Sequence, residues 1–341
     1  MKTQEFDFYL PKELIAQKPT KPRDACRLLV VDRKTQKIVH SRFYHLDKFL
    51  KKGDVLVFND SKVIPARLLG KKETGGKIEV LLLNKKGENW EVLAKKVKRN
   101  YLGKKVFFEK NLTGEFKKFL GEGKWEIEFN LKGEKFFKIL KQIGQTPTPP
   151  YIKEKVPLSD YQTIFAKKEG SIAAPTAGLH FTPSLLKKLK EKGIALKFVT
   201  LHVNLATFAP IREEKIENHK MGEEEIEIKK EVAEFLNQAK ENSQRIIAVG
   251  TTVVRTLESF AFKTKKGFRV KSGRKKTNLF IYPGYQFKIV DGLITNFHLP
   301  KSTLLLLVSA FASKELILKC YQEAIKRKYR FFSFGDAMLI L

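Results

Sequence analysis

The chain has 341 residues, of which 42% are hydrophobic and 30% are charged. This balance excludes an intrinsically disordered chain, and the length suffices for two domains with hydrophobic cores of their own. Lys and Arg total 67 against 37 Asp and Glu, a formal net charge of +30. A polyanionic partner such as a nucleic acid explains this excess, and so does a lysine-rich proteome.

The sequence indicates neither a membrane protein nor a disulfide-stabilised protein. Cys26 and Cys320 lie far apart, which argues against a disulfide framework or a cysteine zinc site. The first residues contain no apolar signal core, and the longest apolar run, around Leu304–Ala312, is too short to cross a bilayer. We therefore expect a cytoplasmic protein without a membrane partner.

The first predicted element is a buried strand over Lys51–Phe58 that runs into a loop. Residues 62–150 then show short strands separated by glycine-containing turns, which is typical of an all-β unit such as a small barrel. The proline-rich stretch Thr146–Pro150 predicts a stiff linker after this unit. The strands predicted inside it are Lys77–Leu83, Asn89–Val97, Lys104–Glu109 and Trp125–Phe129.

Strands alternate with helices after residue 150. Thr182 is a predicted helix N-cap because Pro183 follows it, and Gly193 ends that helix. The other predicted elements are strands over Ile194–Val203 and Arg245–Val249, and helices over Lys229–Glu241, Val253–Phe262, Ser302–Ala312 and Lys314–Lys328. The sequence thus predicts an α/β domain with a mixed sheet, residues 1–61 and 151–341, carrying an inserted barrel-like all-β domain, residues 62–150.

Gly250, Thr251 and Thr252 join a predicted strand to a helix in an almost uncharged stretch. Free N–H groups and the positive end of the helix dipole make such a junction suitable for a carboxylate or a phosphate. Arg255 and Glu258 follow on roughly one helix face and could add a charged pair to an anion cradle. An ordinary capped helix accounts for the same residues without a ligand.

Three of the six histidines lie in charge-poor stretches where loops are predicted. His180 follows Ala-Gly-Leu, His202 ends an apolar strand, and His298 lies beside Asn296. One such histidine is usually structural, but three at loop junctions favour a shared polar pocket. Their spacings match no common metal motif, so no metal site is predicted. Asp336 lies in an apolar run, where a carboxylate must be paired or lie at an opening.

The predicted domain junction carries Asn59, Asp60 and Arg67 around Pro65. An Asx turn beside a rigid proline explains at least part of this pattern, and the alternative is that Asp60 and Arg67 face a cleft between the domains. No Gly-x-Gly-x-x-Gly follows a strand, which disfavours a Rossmann-type site. The acidic run Glu213–Glu227 is predicted to be a solvated face that repels RNA.

Five blocks of the sequence closely resemble those of the S-adenosylmethionine:tRNA ribosyltransferase-isomerase family and occur in the family's order along the chain. The resemblance extends from Phe6 to Leu339. Two positions depart from the family pattern. Asn204-Leu205-Ala206 stands where Gly-Ala-Gly is usual, and Gly222 stands where a second histidine is common. The matching blocks are Gly53–Arg67, Ala173–Thr182, Val249–Ser259, Thr295–Leu304 and Tyr329–Met338.

The resemblance implies an activity in queuosine biosynthesis. The ribosyl part of S-adenosylmethionine would be transferred to 7-aminomethyl-7-deazaguanine at the wobble position of tRNA with a queuosine-type anticodon. Isomerisation would give epoxyqueuosine and release adenine and methionine. This chemistry needs a base for the acidic C5′ hydrogen and an acid for the departing adenine. It needs no cofactor, because S-adenosylmethionine is a consumed co-substrate.

The resemblance also implies roles for particular residues. The predicted catalytic residues are His180, His202, His298 and Asp336, with Glu258 as an alternate carboxylate. Lys95, Lys96 and Lys98 of the insertion are predicted to hold RNA phosphates. The predicted substrate-binding residues are Asn59, Asp60, Arg67, Pro175, Thr176, Ala177, Gly178, Thr207, Gly250, Thr251, Thr252, Arg255, Glu258 and Asn296.

We expect the active site to be a cleft between the α/β domain and the insertion. Residues 174–180, 250–255 and 296–298 should line this cleft. Two alternatives compete with the enzyme. A non-catalytic RNA-binding protein built on the basic barrel would explain the charge and the insertion, but not the histidine-bearing uncharged blocks. A related S-adenosylmethionine-dependent transferase with another substrate would keep the same scaffold. Release of free adenine distinguishes the enzyme from the binding protein.

Overall fold

The computed structural model describes residues 1–95, 97–204 and 211–341. These residues form one nine-stranded sheet, one closed barrel and two small two-stranded sheets. The strands are β1 (Arg27–Val31), β2 (Ile38–Arg42), β3 (Val55–Asn59), β4 (Ser61–Val63), β5 (Arg67–Lys72), β6 (Lys77–Lys86), β7 (Asn89–Ala94), β8 (Lys105–Phe107), β9 (Thr113–Gly121), β10 (Lys124–Phe129), β11 (Lys168–Ser171), β12 (Ala195–Leu201), β13 (Glu224–Ile228), β14 (Ile246–Val249), β15 (Ala261–Thr264), β16 (Gly267–Val270), β17 (Gly273–Thr277), β18 (Gly292–Asn296) and β19 (Ala337–Ile340).

Serine and threonine side chains define where several of the helices begin. The Oγ atoms of Thr182, Ser302 and Ser313 each accept a hydrogen bond from a first-turn backbone N–H, which satisfies a group that the helix leaves unpaired. The α-helices are α1 (Gly133–Ile143), α2 (Pro183–Glu191), α3 (Lys230–Glu241), α4 (Thr251–Ser259), α5 (Thr303–Ala312) and α6 (Lys314–Lys326).

The large sheet has the order β17-β13-β12-β3-β14-β18-β19-β1-β2. It is mixed: β3 is parallel to β12 and β14, whereas β18 and β19 are antiparallel. Every residue of β3 is buried, because alternate side chains enter two different cores. Val55 and Val57 pack on the side of α3 to α6, and Leu56 and Phe58 pack on the side of α2. The sheet is therefore covered by helices on both faces.

The barrel closes in the order β10-β7-β6-β5-β8-β9, and all of its pairings are antiparallel. Its core contains Trp125, Phe116 and Phe129, and helix α1 adds Phe136 to the same cluster. At Gly114 a Cβ atom would come within 2.8 Å of Ile127, so the packing requires glycine there. The predicted fold class, an α/β domain with a mixed sheet and an inserted all-β barrel, is confirmed.

Several element predictions need correction. Helix α4 begins at Thr251, two residues before its predicted start at Val253, and ends at Ser259. Helix α1 was not predicted. The acidic run contains strand β13, whose Glu224 is buried, so this run is not wholly a solvated face. The boundaries of the two domains at residues 61/62 and 150/151 stay predictions.

The entry to the barrel and its exit lie side by side in the main domain. Strand β4 pairs in parallel with β11, and the Oγ atoms of Ser61 and Ser171 are 2.8 Å apart. At the barrel side, Arg67 exchanges backbone hydrogen bonds with Gln145. In the part of the chain that is described, no helix is long and apolar enough to cross a membrane.

Candidate active site

A small cavity of about 30 Å³ lies beyond the carboxyl end of β18. Asn296 lines it from the last position of β18, His298 lines it from the turn that follows, and Thr176 lines it from the short 3-10 helix Thr176–His180. Phe332 and Ser333 complete it from the segment before β19. Three of the charge-poor blocks thus meet at one point. The space suffices for one or two water molecules, so a larger ligand must extend beyond it.

His180 is fixed by hydrogen bonds on both ring nitrogens. Asn296 Nδ2 lies 3.2 Å from Nε2 and also donates to the Phe332 carbonyl at 3.0 Å, so the amide group donates to the imidazole. Nδ1 then carries the proton and faces Cys26 Sγ at 3.2 Å. Burial lowers the pKa of His180 to about 4, so the ring is neutral at neutral pH. With both nitrogens engaged, a structural role fits His180 better than the predicted catalytic one.

His298 is the histidine that lines the cavity. Its Nε2 is 2.8 Å from Thr295 Oγ1, and its backbone N–H donates to the Tyr321 hydroxyl at 2.9 Å. Burial lowers the pKa of His298 to about 3, which keeps the imidazole neutral at neutral pH. A tautomer that donates from Nε2 to Thr295 leaves Nδ1 as an acceptor. This geometry favours His298 among the predicted catalytic histidines.

His202 follows strand β12 and is partly buried. Its Nδ1 is buried and has no hydrogen-bond partner among the described residues, and burial lowers its pKa. A Cβ atom on Gly170 would lie 2.9 Å from this nitrogen, and Gly170 has φ +139°, so the close approach requires glycine. His202 does not line the cavity that contains His298.

The turn before α4 touches the block that contains His180. Gly250 has φ +98°, and a Cβ atom built on it would lie 3.6 Å from the Cβ of Ala177. Thr251 and Thr252 are both buried at the start of the helix. Gly178 also needs its small size, because a Cβ there would lie 2.8 Å from the Phe165 ring. Residues 174–180, 250–255 and 296–298 are therefore in mutual proximity.

Of the uncharged block, Thr176 reaches the cavity, whereas its neighbours Pro175, Ala177 and Gly178 are buried in packing. The described residues that line the cavity all belong to the predicted α/β domain, and Tyr151 is the one nearest the insertion in sequence. It therefore stays a prediction that the whole substrate binds in a cleft between the α/β domain and the barrel.

The charged residues of α4 do not form the predicted pair. Arg255 forms an ion pair with Glu224 of β13 and donates from Nε to the Leu279 carbonyl at 2.9 Å. Glu258 instead accepts backbone N–H bonds from residues 288, 289 and 290 at 3.0–3.2 Å, and the Tyr285 hydroxyl at 3.2 Å. Both side chains are almost fully buried. The i,i+3 spacing on α4 would allow Arg255 and Glu258 to pair, but each side chain contacts another part of the fold instead. These contacts favour structural roles for both residues.

Asp336 is buried and fully engaged. Its Oδ1 accepts from the backbone N–H of Arg27 at 2.8 Å, and its Oδ2 accepts from Arg27 Nε at 3.2 Å and from the backbone N–H of Arg330 at 2.8 Å. The carboxylate thus joins the start of β1 to the loop before β19. A paired carboxylate was one of the two expected outcomes, and it favours a structural role over the predicted catalytic one.

Asn59 and Asp60 bind the neighbouring strand β12. Asn59 forms the expected Asx turn, accepting from the Ser61 N–H at 3.0 Å, and its Nδ2 donates to the Leu201 carbonyl at 2.9 Å. Asp60 accepts from Thr200 Oγ1 at 2.7 Å. Arg67 donates to the Thr148 carbonyl at 2.7 Å. Asp60 and Arg67 thus lie at the junction, and their contact with substrate stays a prediction.

The remaining predicted residues are at the surface or outside the described residues. Lys95 and Lys98 are exposed on the barrel, and Lys95 Nζ lies 3.4 Å from Glu79. Lys96 and Thr207 lie outside the described residues, as do Leu205 and Ala206. Asn204 stands where the family has a glycine, and asparagine tolerates the positive φ that glycine often adopts, but Asn204 is not among the described residues with that conformation. Its side chain donates to the Glu223 carbonyl at 3.2 Å.

The residues at or beside the site that sequence reasoning did not name include Cys26, Tyr151 and Ser333. Cys26 contacts His180, and Tyr151 and Ser333 line the cavity with their hydroxyls 2.8 Å apart. Two signals were available. Tyr151 directly follows the proline-rich linker, and Ser333 is the one polar residue among the phenylalanines of its block. No sequence pattern indicated Cys26.

A mixed α/β sheet with an inserted barrel, and a pocket at a strand end that contains His298, is an arrangement typical of an enzyme with a binding site in its α/β part. Residues 3–340 match the model of a family described as queuosine biosynthesis protein. The chain belongs to this family, and the prediction of an enzyme of queuosine biosynthesis is confirmed.

Individual relatives match over their whole length. The chain is 52% identical over 345 residues to an S-adenosylmethionine:tRNA ribosyltransferase-isomerase from Halothermothrix orenii, with 100% of both chains covered. It is 53% identical over 344 residues to one from Carboxydothermus hydrogenoformans, again with full coverage. A crystal structure of the S-adenosylmethionine tRNA ribosyltransferase from Thermotoga maritima matches with a TM-score of 0.57, 39% identity, and 99% and 100% of the two chains covered. The non-catalytic alternative is not favoured by these relatives.

Proposed function

We propose that this chain transfers and isomerises the ribosyl part of S-adenosylmethionine onto 7-aminomethyl-7-deazaguanine at the wobble position of tRNA, giving epoxyqueuosine and releasing adenine and methionine. The observation that carries the proposal is the family match over residues 3–340 together with relatives of that name at about half identity. The queuosine-type anticodon and the exact acceptor base belong to the proposal. S-adenosylmethionine acts as a consumed co-substrate, and no separate cofactor is proposed.

The base that takes the C5′ proton must be unprotonated before the reaction. His298 meets this requirement, because burial keeps the imidazole neutral at neutral pH and the ring borders the cavity. A lowered pKa makes the imidazole a weaker base, and the sulfonium charge offsets this because it acidifies the C5′ hydrogen. Loss of the proton from C5′ next to the sulfonium leaves a carbanion that starts the rearrangement. Thr295 Oγ1, 2.8 Å from Nε2, holds the ring in one orientation. We therefore propose His298 as the base.

The departing adenine needs a proton. His298 holds one after it has taken the C5′ proton and can pass it to the leaving adenine, which returns the imidazole to its neutral form. His180 does not supply this proton, because its pKa is about 4 and both of its ring nitrogens are engaged. The Tyr151–Ser333 hydroxyl pair lies in the same cavity and offers a proton path from solvent to substrate. The small volume of the cavity would also limit the access of water to the reactive intermediates.

The test measures free adenine after incubation with S-adenosylmethionine and tRNA that carries the 7-aminomethyl-7-deazaguanine precursor. We expect one adenine and one methionine per tRNA modified, and none with tRNA that carries guanine at the wobble position. His298→Gln should lower kcat by about a hundredfold or more, the range of general base catalysis. The matched control is His219→Gln, because His219 pairs with Glu213 in the acidic run, away from the cavity. Absence of adenine with the wild-type chain would contradict the proposed function.

A further inference from the structure

One outer wall of the barrel carries lysines and apolar side chains together. On β5, Leu68 points into the core, whereas Leu69 and Lys71 are exposed. Lys71 is directly opposite Lys77 on β6 and directly opposite Phe107 on β8. Two ammonium groups and one aromatic ring thus form a row across three neighbouring strands, and Lys105 lies two residues from Phe107 on the same face.

The charges of this row are not explained by the stability of the barrel. Like charges directly opposite each other on neighbouring strands are destabilising. Among the described residues, neither Lys71 nor Lys77 has an acidic partner within ion-pair distance. Other barrel lysines do: Lys117 contacts Glu115 at 2.7 Å, and Lys95 contacts Glu79 at 3.4 Å. The carboxylates at this wall are Glu79, opposite Leu69 and paired with Lys95, and Glu73, which accepts from the Lys105 N–H at 3.0 Å. A bound polyanion would supply the counter-charge that Lys71 and Lys77 do not receive from them.

The apolar side chains of the wall are also unusual in their exposure. Leu69 is 49% exposed and Phe107 is 44% exposed, although the barrel has a well-filled aromatic core of its own. An exposed aromatic ring between lysines suits single-stranded RNA, because bases stack on the ring while phosphates contact the ammonium groups. Residues 67–107, which contain the wall, carry 12 Lys and Arg against four Glu, a net charge of +8.

We propose that this barrel wall, defined by Leu69, Lys71, Lys77, Lys105 and Phe107, is a docking surface for the tRNA substrate. Lys71, Lys77 and Lys105 contact phosphates, and Phe107 stacks on an unpaired base. The proposal rests on the proposed function for the choice of tRNA as the polyanion. It places RNA contacts on the strands β5, β6 and β8, in addition to the lysines at residues 95–98.

The experiment compares three variants for tRNA affinity by fluorescence anisotropy and for KM and kcat in adenine release. Lys71→Gln/Lys77→Gln should raise the tRNA Kd and KM about tenfold and lower the slope of log Kd against log salt by about one to two. Phe107→Ala should raise the tRNA Kd about five- to a hundredfold, whereas Phe107→Tyr, which keeps the ring, should not. The kcat at saturating tRNA and the affinity for S-adenosylmethionine should remain those of the wild type.

The matched control is Lys187→Gln/Lys190→Gln, which removes the same charge from the exposed face of α2. An effect no larger than that of the control would overturn the proposal. The proposal would also be overturned if the wall variants kept their tRNA affinity but lost binding to phosphatidylserine vesicles. That result would show that the wall binds a lipid surface. Failure of the proposed function is a separate result: the wild-type chain would then bind tRNA through the wall without releasing adenine.

Discussion

The two domains use their charged side chains in opposite ways. In the α/β domain, charged groups near the site are buried and partnered: Arg255 with Glu224, and Asp336 with Arg27 and a backbone N–H. In the barrel, charged groups stay at the surface, and the wall lysines Lys71 and Lys77 lie opposite each other on neighbouring strands. Buried charges near the site of the first domain are thus engaged by other groups of the fold, whereas Lys71 and Lys77 on the barrel surface are available to a partner.

The difference explains how one chain can combine a charge-poor pocket with a net charge of +30. The polar side chains that line the pocket are neutral. The charged side chains Arg255, Glu224 and Asp336 are engaged in hydrogen bonds and ion pairs of the fold. The α/β domain should therefore respond to the loss of buried pairs and to pH, and the barrel should respond to salt. The predictions below test this contrast.

The largest effect should come from the buried pair Arg255–Glu224. Arg255→Met leaves the Glu224 carboxylate buried without its counter-charge, and we expect the free energy of unfolding to fall by about 3–5 kcal/mol. Urea denaturation measures this change. The matched barrel variant Lys117→Met removes an exposed ion pair with Glu115, and its unfolding midpoint should stay close to that of the wild type.

If Arg255→Met unfolds at the same urea concentration as the wild type, the proposed contrast between the α/β domain and the barrel is contradicted. If that variant does not fold, Arg255→Met/Glu224→Met provides the second test. Replacing both members of a buried pair by apolar side chains is often neutral, so the double variant should recover most of the lost stability. Equal losses in the single and double variants would show that packing, and not the unpaired charge, is responsible.

The second effect is a pH dependence that only the α/β domain can supply through histidine, since residues 62–150 contain none. Burial lowers the pKa of His180 to about 4 and that of His298 to about 3. Below pH 6.5 the unfolded chain binds protons that the folded chain does not, so stability is lost as pH falls from about 6.5 toward these values. Between pH 7 and pH 5, each histidine should cost about 2 kcal/mol of unfolding free energy.

Urea denaturation at pH 7, 6 and 5 measures this slope. His180→Asn and His298→Asn should each reduce the loss of unfolding free energy between pH 7 and pH 5 by about 2 kcal/mol, because each deletes one group that titrates in the unfolded chain alone. Part of the slope should remain in the double variant, since burial also lowers the pKa of His40 and His202. An unchanged slope in the double variant would show that these imidazoles are not buried in the neutral form.

The sequence predicted the strands that are apolar throughout and the helices with clear caps, such as β3, β14 and α2. Elements with mixed local signals were missed. Strand β5 contains Gly70 followed by two lysines, a weak β pattern, yet the barrel requires glycine there because a Cβ would lie 2.6 Å from the Phe107 carbonyl oxygen. Strand β13 lies in an acidic run, and its alternation of Glu with the buried Ile226 and Ile228 was overlooked.

For the site, the sequence predicted which blocks should meet, and the structure brings Thr176, Asn296 and His298 together. It could not predict the partners. Arg255 was paired with Glu258 from helical spacing, whereas its true partner Glu224 lies 31 residues away on β13. That contact depends on the order of strands in the sheet, which no local pattern encodes. The same limit applies to Cys26, which is 154 residues from His180.

The smallest effect concerns helix capping, which differs between helix α2 of the α/β domain and helix α1 of the insertion. Helix α2 of the α/β domain begins at Thr182, whose Oγ1 accepts from the Leu185 N–H at 3.2 Å and donates to Asp24 at 2.6 Å. Helix α1 of the insertion begins after Lys132, whose side chain makes no such capping hydrogen bond. Thr182→Ala should therefore lower the free energy of unfolding by about 1–2 kcal/mol, because one helix N–H and the buried Asp24 carboxylate each lose a partner.

Lys132→Ala is the matched variant, since it changes the residue before a helix without removing a cap. Its unfolding midpoint should change little, because the ion pairs of Lys132 with Glu88 and Glu128 are exposed. Thr182→Ser keeps the hydroxyl and should restore most of the stability lost in Thr182→Ala. Equal midpoints for Thr182→Ala and Lys132→Ala would show that the Thr182 cap does not stabilise α2. A loss in Thr182→Ala that serine repairs would show that the hydroxyl stabilises this helix of the α/β domain through the same kind of local pairing that α1 of the insertion lacks.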